Sequence, residues 1–121
     1  MVLKISNNRG IKIERVYNKL VRDKIPDIIK KNNEECIITT LNEEEYKKAL
    51  EDKLVEELHE VLESSGTSRI EELADMIEVI TSLAKLEGKT LNDVIETSSK
   101  KKEKRGGFDN KIFLLKVTTK E

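Results

Sequence analysis

The sequence has few of the residues that build aromatic cores or covalent cross-links. Its 121 residues include two tyrosines, two phenylalanines, one cysteine, one proline, one histidine and no tryptophan. The lone Cys36 excludes an internal disulfide and leaves no second thiol for a zinc site. The lone His59 excludes a histidine-rich ligand set. A core with so few aromatics has to be built from Leu, Ile, Val and Ala, which favours packed helices.

Long apolar runs are absent as well. No stretch approaches the ~18 residues of a membrane span, and the N-terminus lacks the apolar segment of a signal peptide. We therefore expect a cytoplasmic protein that makes no membrane contact. The length favours a single domain with one modest core. A helical chain of this size is expected to complete its core as a homodimer or a higher homo-oligomer.

Charged residues are abundant and unevenly distributed. They make up 39% of the chain, yet the net charge is only −1. Residues 43–78 carry a balance of −9, whereas residues 1–42 and 79–121 each carry +4. An acidic middle flanked by basic ends suits a site in which acids hold a metal ion and bases meet a phosphate. The slight overall acidity and the lack of aromatics among the bases argue against a nucleic-acid polymer as partner.

The pattern of apolar residues predicts an all-α fold, a four-helix core with short β segments at the termini. Helices are predicted over about 18–32, from the capping residue Asn42 to about 63, from Ser68 to 88, and from Thr90 or Asn92 to about 104. Residues 1–16 form an N-terminal extension that is predicted to be a β-hairpin with its turn at 7–10, and residues 17–121 form the main domain. Residues 36–40 and 111–117 are predicted to be extended. The second of these segments would pair with the region of Ile37 or with the hairpin.

Two acidic pairs, Glu57 with Glu60 and Glu72 with Asp75, lie on the second and third predicted helices. A spacing of three residues puts both members of a pair on one side of a helix. If the two helices run antiparallel, the pairs can face each other. Four converging carboxylates repel unless a cation lies between them, and a hard divalent ion prefers an all-oxygen site.

An ordinary solvated face is the alternative explanation for these acids. The helical wheel argues against it, because Glu57 falls beside the apolar stripe that contains Leu50 and Leu54. On the wheel of the third helix, Glu72 falls at an angle between those of the apolar residues Met76 and Val79. Acids at the edge of a core stripe are partly desolvated, which is costly unless they are paired or bind a metal.

The basic residues form two groups. Lys100–Arg105 ends the fourth predicted helix and is followed by Gly106 and Gly107. Bases in a last turn also favour the helix dipole, but two adjacent glycines let the backbone approach a ligand closely. Lys19–Lys24 is the second group, in which Arg22 and Asp23 could equally form an interhelical salt bridge.

Four segments together resemble the all-α nucleoside triphosphate pyrophosphohydrolases, the superfamily of MazG and phosphoribosyl-ATP pyrophosphohydrolase. They are, in chain order, Tyr17–Pro26, Glu56–Glu60, Glu71–Asp75 and Lys104–Phe108. The small house-cleaning branch is the most similar. The resemblance covers roughly residues 17–115 and leaves residues 1–16 without a role.

The resemblance implies hydrolysis of a non-canonical nucleoside triphosphate between its α- and β-phosphates, giving a monophosphate and pyrophosphate. It implies Mg²⁺, or Mn²⁺ in its place, held by the catalytic residues Glu57, Glu60, Glu72 and Asp75. Glu56 is the alternative ligand in the first motif. The implied phosphate-binding residues are Lys19, Arg22, Lys101 and Arg105, with Lys101 preferred to Lys100 and Lys102 as lying one turn before Arg105.

Two other functions stay open at this point. The chain could be a true phosphoribosyl-ATP pyrophosphohydrolase of histidine biosynthesis, although the Tyr17–Pro26 segment fits the house-cleaning branch better. It could also be a helical dimerisation module that has kept the fold without turnover, which the four intact acids argue against. The sequence does not indicate which base or sugar is preferred.

Overall fold

In the computed structural model, backbone is described for residues 2–7 and 10–120, and side chains for residues 13–120. The chain is mostly helical, which confirms the prediction of four helices. These are α1 (Ile25–Lys31), α2 (Glu43–Glu63), α3 (Gly66–Leu86) and α4 (Leu91–Arg105). Two strands, β1 (Val2–Asn7) and β2 (Gly10–Arg15), precede them.

The strands pair in antiparallel fashion, with Val2 opposite Arg15 and Asn7 opposite Gly10. They lie where the sequence predicts a hairpin, although Asn8 and Arg9 of its turn are outside the described residues. After the hairpin, the guanidinium of Arg15 forms an ion pair with Glu34, 3.1 Å from its Oε2. This contact ties the end of β2 to the segment that follows α1.

Two helices begin at capping boxes, of which the sequence predicts the one at α2. At the start of α2, the amide of Glu45 donates to Asn42 Oδ1 at 2.8 Å, and Glu45 Oε1 accepts from the Asn42 amide at 3.1 Å. At α4, Thr90 and Asp93 make the same reciprocal pair. The Thr90 amide and hydroxyl hold the pKa of the Asp93 carboxyl below its usual value. Each box satisfies amides that the first turn of a helix would otherwise leave without a partner.

Two predicted helix starts are wrong. α1 begins at Ile25 rather than near residue 18, because Pro26 suits only the first turn of a helix and Asn18 has a positive φ of 46°. α3 begins at Gly66 rather than Ser68. Gly66 has a φ of +58°, which other residues adopt only with strain, and it lets the chain turn directly from α2 into α3. Arg69 Nε supports this turn by donating to the Ser64 carbonyl oxygen at 2.9 Å.

The two predicted extended segments outside the hairpin form no strands. Residues 36–40 and 111–117 lack regular secondary structure, and the apolar side chains of Ile37, Phe113 and Leu115 are exposed. A strand needs a neighbouring backbone to satisfy its amides and carbonyls. In the part of the chain that the structure describes, the sheet contains β1 and β2 alone. The apolar run of the tail is therefore not enough to make it a strand.

The chain divides into two compact units, residues 1–83 and 84–121. The first contains the hairpin, α1, α2 and most of α3. Among its described side chains, those of residues 13–83, the buried hydrophobic ones are Leu50 on α2 and Val79 on α3, at 3% and 6% exposure. The second contains the end of α3, α4 and the tail. Among the described helices, none is both long and apolar enough to cross a membrane. The sequence-based division at residue 16 stays a prediction.

The α2 capping box leads to a stability prediction. Replacing Asn42 with alanine removes the side chain that accepts from the Glu45 amide, so we expect a loss of about 1 kcal/mol in the free energy of unfolding. Urea denaturation followed by circular dichroism, at one fixed protein concentration, measures this loss. Asn92→Ala is the matched control, because Asn92 lies exposed in the first turn of α4 and caps nothing. Equal losses in both variants would contradict the assignment.

Candidate metal centre

The α2 helix buries one carboxylate. Glu57 lies seven residues after Leu50, which places both side chains on the same face of α2, and Glu57 is only 6% exposed. Its Oε2 atom is buried and has no hydrogen-bond partner. A buried carboxylate oxygen without a partner costs free energy, because it has lost its water and gained nothing in exchange. This oxygen is therefore positioned to accept a cation.

The α3 helix brings two further carboxylates to the same place. Glu72 and Asp75, three residues apart and half-buried, each offer an oxygen to a group that also contains Glu57. The three oxygens lie within 4.8 Å of one another. Side chains of α2 and α3 therefore meet at this point. We call Glu57, Glu72 and Asp75 the acid triad.

The triad concentrates negative charge, which is visible at Glu72. Burial raises the pKa of the Glu72 carboxyl, and repulsion from Glu60, Asp75 and Glu57 raises it further. Glu60 is thus close enough to act on Glu72, although it is exposed and lies outside the triad. The structure therefore brings three of the four predicted ligands together, with the fourth at the edge of the group.

Arg22 forms an ion pair with Asp75 of the acid triad. One of its guanidinium nitrogens lies 2.8 Å from Asp75 Oδ1, and the Arg22 side chain is 55% exposed. The contact anchors the segment before α1 to α3. The sequence suggested either a phosphate-binding role for Arg22 or an interhelical salt bridge with no catalytic part, and in the structure its partner is an acid of the triad.

Glu56, the alternative ligand, faces a different set of partners. Lys19 Nζ lies 3.1 Å from its Oε1, and Lys53 Nζ lies 3.3 Å from its Oε2. Burial by itself would raise the pKa of Glu56, but the two ammonium groups outweigh it and lower the pKa below its usual value. Glu56 is therefore a partner of lysines and lies outside the triad, whereas Glu57 lies within it.

Lys53 is the residue that sequence reasoning missed. Its ammonium contacts Glu56 and also lies 3.7 Å from Glu57 Oε1. The signal was present in the sequence, because Lys53 stands three and four residues before these acids, the spacing at which helical side chains meet. One lysine on α2 therefore contacts two acids of the first motif.

The remaining predicted residues, Lys101 and Arg105, belong to the second unit. Both are exposed on α4 and line a groove of about 1100 Å³ between that helix and the residues that follow it. Lys100, Lys102, Gly106, Gly107 and Phe108 line the same groove. All three lysines of the run reach it, so the preference for Lys101 stays a prediction. The groove is positively charged and open, as an anion-binding surface would be.

The donor set of the triad fits a hard divalent cation. Carboxylate oxygens are the ligands that Mg²⁺ and Mn²⁺ prefer, and a site with no nitrogen or sulfur donor does not favour zinc or copper. The partnerless Oε2 of Glu57 would gain a ligand bond from such an ion. Comparison of the chain with protein-family models, curated proteins and solved structures found no match.

The triad predicts a stability that depends on metal. An ion that binds only the folded protein raises the melting temperature as its concentration rises. Glu72→Gln keeps the shape of the side chain but removes one of the repelling charges. We expect this variant to be at least as stable as the parent without metal, and to gain little from magnesium. Thermal denaturation across a magnesium series measures both effects.

Glu78→Gln is the control for this comparison, since Glu78 is an exposed acid on the same helix outside the triad. It should keep the full magnesium response of the parent. A parent whose melting temperature ignores magnesium and manganese would instead support a solvated acidic face.

Proposed function

We propose that this protein is a magnesium-dependent nucleoside triphosphate pyrophosphohydrolase, which cleaves between the α- and β-phosphates. The observation that carries the proposal is the acid triad, in which Glu57 offers a buried oxygen without a partner beside Glu72 and Asp75. Its residues lie within two of the four segments on which the resemblance to this superfamily rests. Manganese would fit the same oxygen donors.

Glu57, Glu72 and Asp75 would hold the ion. When bound, magnesium neutralises phosphate charge and makes a coordinated water a better nucleophile. A carboxylate that is not committed to the ion is needed to take the proton of that water. Glu60 is our candidate, because it lies beside the triad but outside it. The bond between the bridging oxygen and one of the two phosphorus atoms, α or β, breaks. The oxygen of the water bonds to that phosphorus, and the bridging oxygen stays with the other product.

The bases divide into two kinds by their present contacts. Lys19 and Arg22 are paired with acids at or beside the triad. An ion that shares Asp75 would weaken its hold on Arg22, and the exposed guanidinium could then turn to a phosphate. Lys101 and Arg105 form no ion pair with an acid in the structure of residues 13–120. Their role toward the leaving pyrophosphate rests on the resemblance to the superfamily.

The proposal predicts a defined reaction. With magnesium, the protein should release pyrophosphate and a nucleoside monophosphate from at least one member of a panel of canonical and non-canonical nucleotides. Glu57→Gln and Glu72→Gln should each lower the rate by about 100-fold or more, because each removes a ligand charge. Chromatography of the products measures the reaction, with Glu78→Gln as a control that keeps the parental rate.

The same panel separates the alternatives. Turnover of phosphoribosyl-ATP alone would assign the histidine-pathway enzyme, which uses the same chemistry on one substrate. No turnover of any nucleotide, with either ion, would favour a non-catalytic helical module. Release of orthophosphate and a diphosphate would place the cleavage at another bond and contradict the proposal.

We also infer that the protein is a homo-oligomer, with a dimer as the smallest form. One side of α2 presents Val55, Leu58 and Leu62, and one side of α3 presents the set Ile70, Leu73 and Ile77. These six side chains are between 40% and 66% exposed. Each set follows a spacing of three and four residues, which defines one helix face. We call the six together the outer apolar face, and its apolar character is matched by a second copy of itself.

Charge on the outer apolar face should therefore break the oligomer. Leu62→Lys and Ile70→Lys would each require a second copy to bury an unpaired ammonium, so we expect both to shift the protein toward monomer. Ile28→Lys is the control, because Ile28 is an exposed apolar residue of α1 outside this face. Sedimentation velocity measures the change. A parent that sediments as a monomer at every concentration would remove the inference.

A further inference from the structure

Lys53 is held more tightly than an ordinary surface lysine. Its side chain is 19% exposed, and its ammonium lies 3.4 and 3.3 Å from the two oxygens of Glu56. It also lies 3.7 Å from Glu57 Oε1. Glu56 is fixed in turn by Lys19, at 3.1 Å. A chain of contacts therefore runs from Lys19, before α1, through Glu56 and Lys53 to Glu57 of the acid triad.

This arrangement divides the two oxygens of Glu57 between different roles. Oε1 faces the ammonium of Lys53, whereas Oε2 is buried without a partner. A single carboxylate thus belongs both to an internal ion pair and to the triad. Any divalent cation bound through the triad would share Glu57 with a lysine.

We propose that Lys53 is the built-in counter-ion of the metal centre: it stabilises the fold without metal and, by its charge, lowers the affinity of the triad for a divalent ion. This inference rests on the metal site of the proposed function. In this proposal Lys53 is a positioning residue, which does not contact the substrate. Its role is to neutralise part of the triad's charge through Glu57.

Two electrostatic effects follow from one charge. Without metal, the ammonium attracts Glu57 and offsets the repulsion among the three carboxylates. With metal, the same ammonium repels the divalent ion across the shared carboxylate. Two cations this close, in a partly solvated site at moderate salt, weaken binding by about threefold to tenfold.

Arg22 cannot replace Lys53 in this role. Its guanidinium contacts Asp75, but its side chain is 55% exposed and can move into water when an ion arrives. Lys53 is less exposed, and Glu56 holds it in place on the same helix. Its charge therefore stays beside Glu57 whether or not the metal is bound.

The test replaces Lys53 with methionine, which keeps the length and the helix propensity of the side chain but removes its charge. Without metal, Lys53→Met should melt at a lower temperature than the parent. Calorimetric titration with manganese or magnesium, without nucleotide, should show binding about threefold to tenfold tighter. Lys53→Arg keeps the charge and should retain the parental affinity.

Lys48→Met is the matched control, because Lys48 pairs with Asp52 at 2.6 Å on the same helix but is exposed and away from the triad. It should leave both the metal affinity and the metal-free melting temperature close to those of the parent. If Lys53→Met folds poorly without metal, Lys53→Gln supplies the same comparison with a more soluble side chain. Rescue of either variant by manganese would support the proposal.

Two contrary outcomes are distinguishable. A parent that binds the ion, with Lys53→Met binding it equally or more weakly, overturns the counter-ion role but leaves the metal centre intact. A parent that binds neither manganese nor magnesium at millimolar concentration overturns the metal centre and this inference together.

Discussion

The electrostatic balance around Glu57 is the constraint on which the first unit depends. This carboxylate is buried where α2 meets α3, beside two other acids, and one of its oxygens has no partner. Lys53 on one side and the Arg22–Asp75 ion pair on the other supply the nearby positive charge. A purely structural contact between two helices would be cheaper with apolar residues at these positions. The cost is understandable if the acids serve a function.

The hydrophobic core is too small to offset easily the free energy lost by burying Glu57 beside two other acids. Leu50 and Val79 are the buried hydrophobic residues in the described part of the chain, and the ion pairs around the triad are mostly half-exposed, so each contributes little. The outer apolar face leaves further aliphatic surface in water. Under the proposals made above, part of the cohesion would come from an ion at the triad and from a second copy on that face.

The accuracy of the sequence-based predictions depended on the range of the interactions concerned. The start of α2 at Asn42 was correct, because a capping box involves residues only three apart, and of the two starts left open for α4 the structure has Thr90. The start of α1 was wrong, since Pro26 suits only the first turn of a helix and a helical apolar pattern can extend beyond the helix itself. The strand at 111–117 was wrong because a strand depends on a partner that its own sequence does not supply. At the site, the preference for Glu57 over Glu56 came from the helical wheel, and the structure places these two residues among different partners.

The sequence by itself determined which residues lie on which face of each helix, because that depends only on the helical repeat. It also determined where α2 begins and that the acids of each pair share a side. Only the tertiary structure decided that Glu57, Glu72 and Asp75 meet while Glu60 lies at the edge, and that Lys53 and Arg22 turn toward acids. These contacts depend on how far apart two helices lie and how each is rotated. Both quantities are set by the packing of residues distant in the chain, which no local pattern contains.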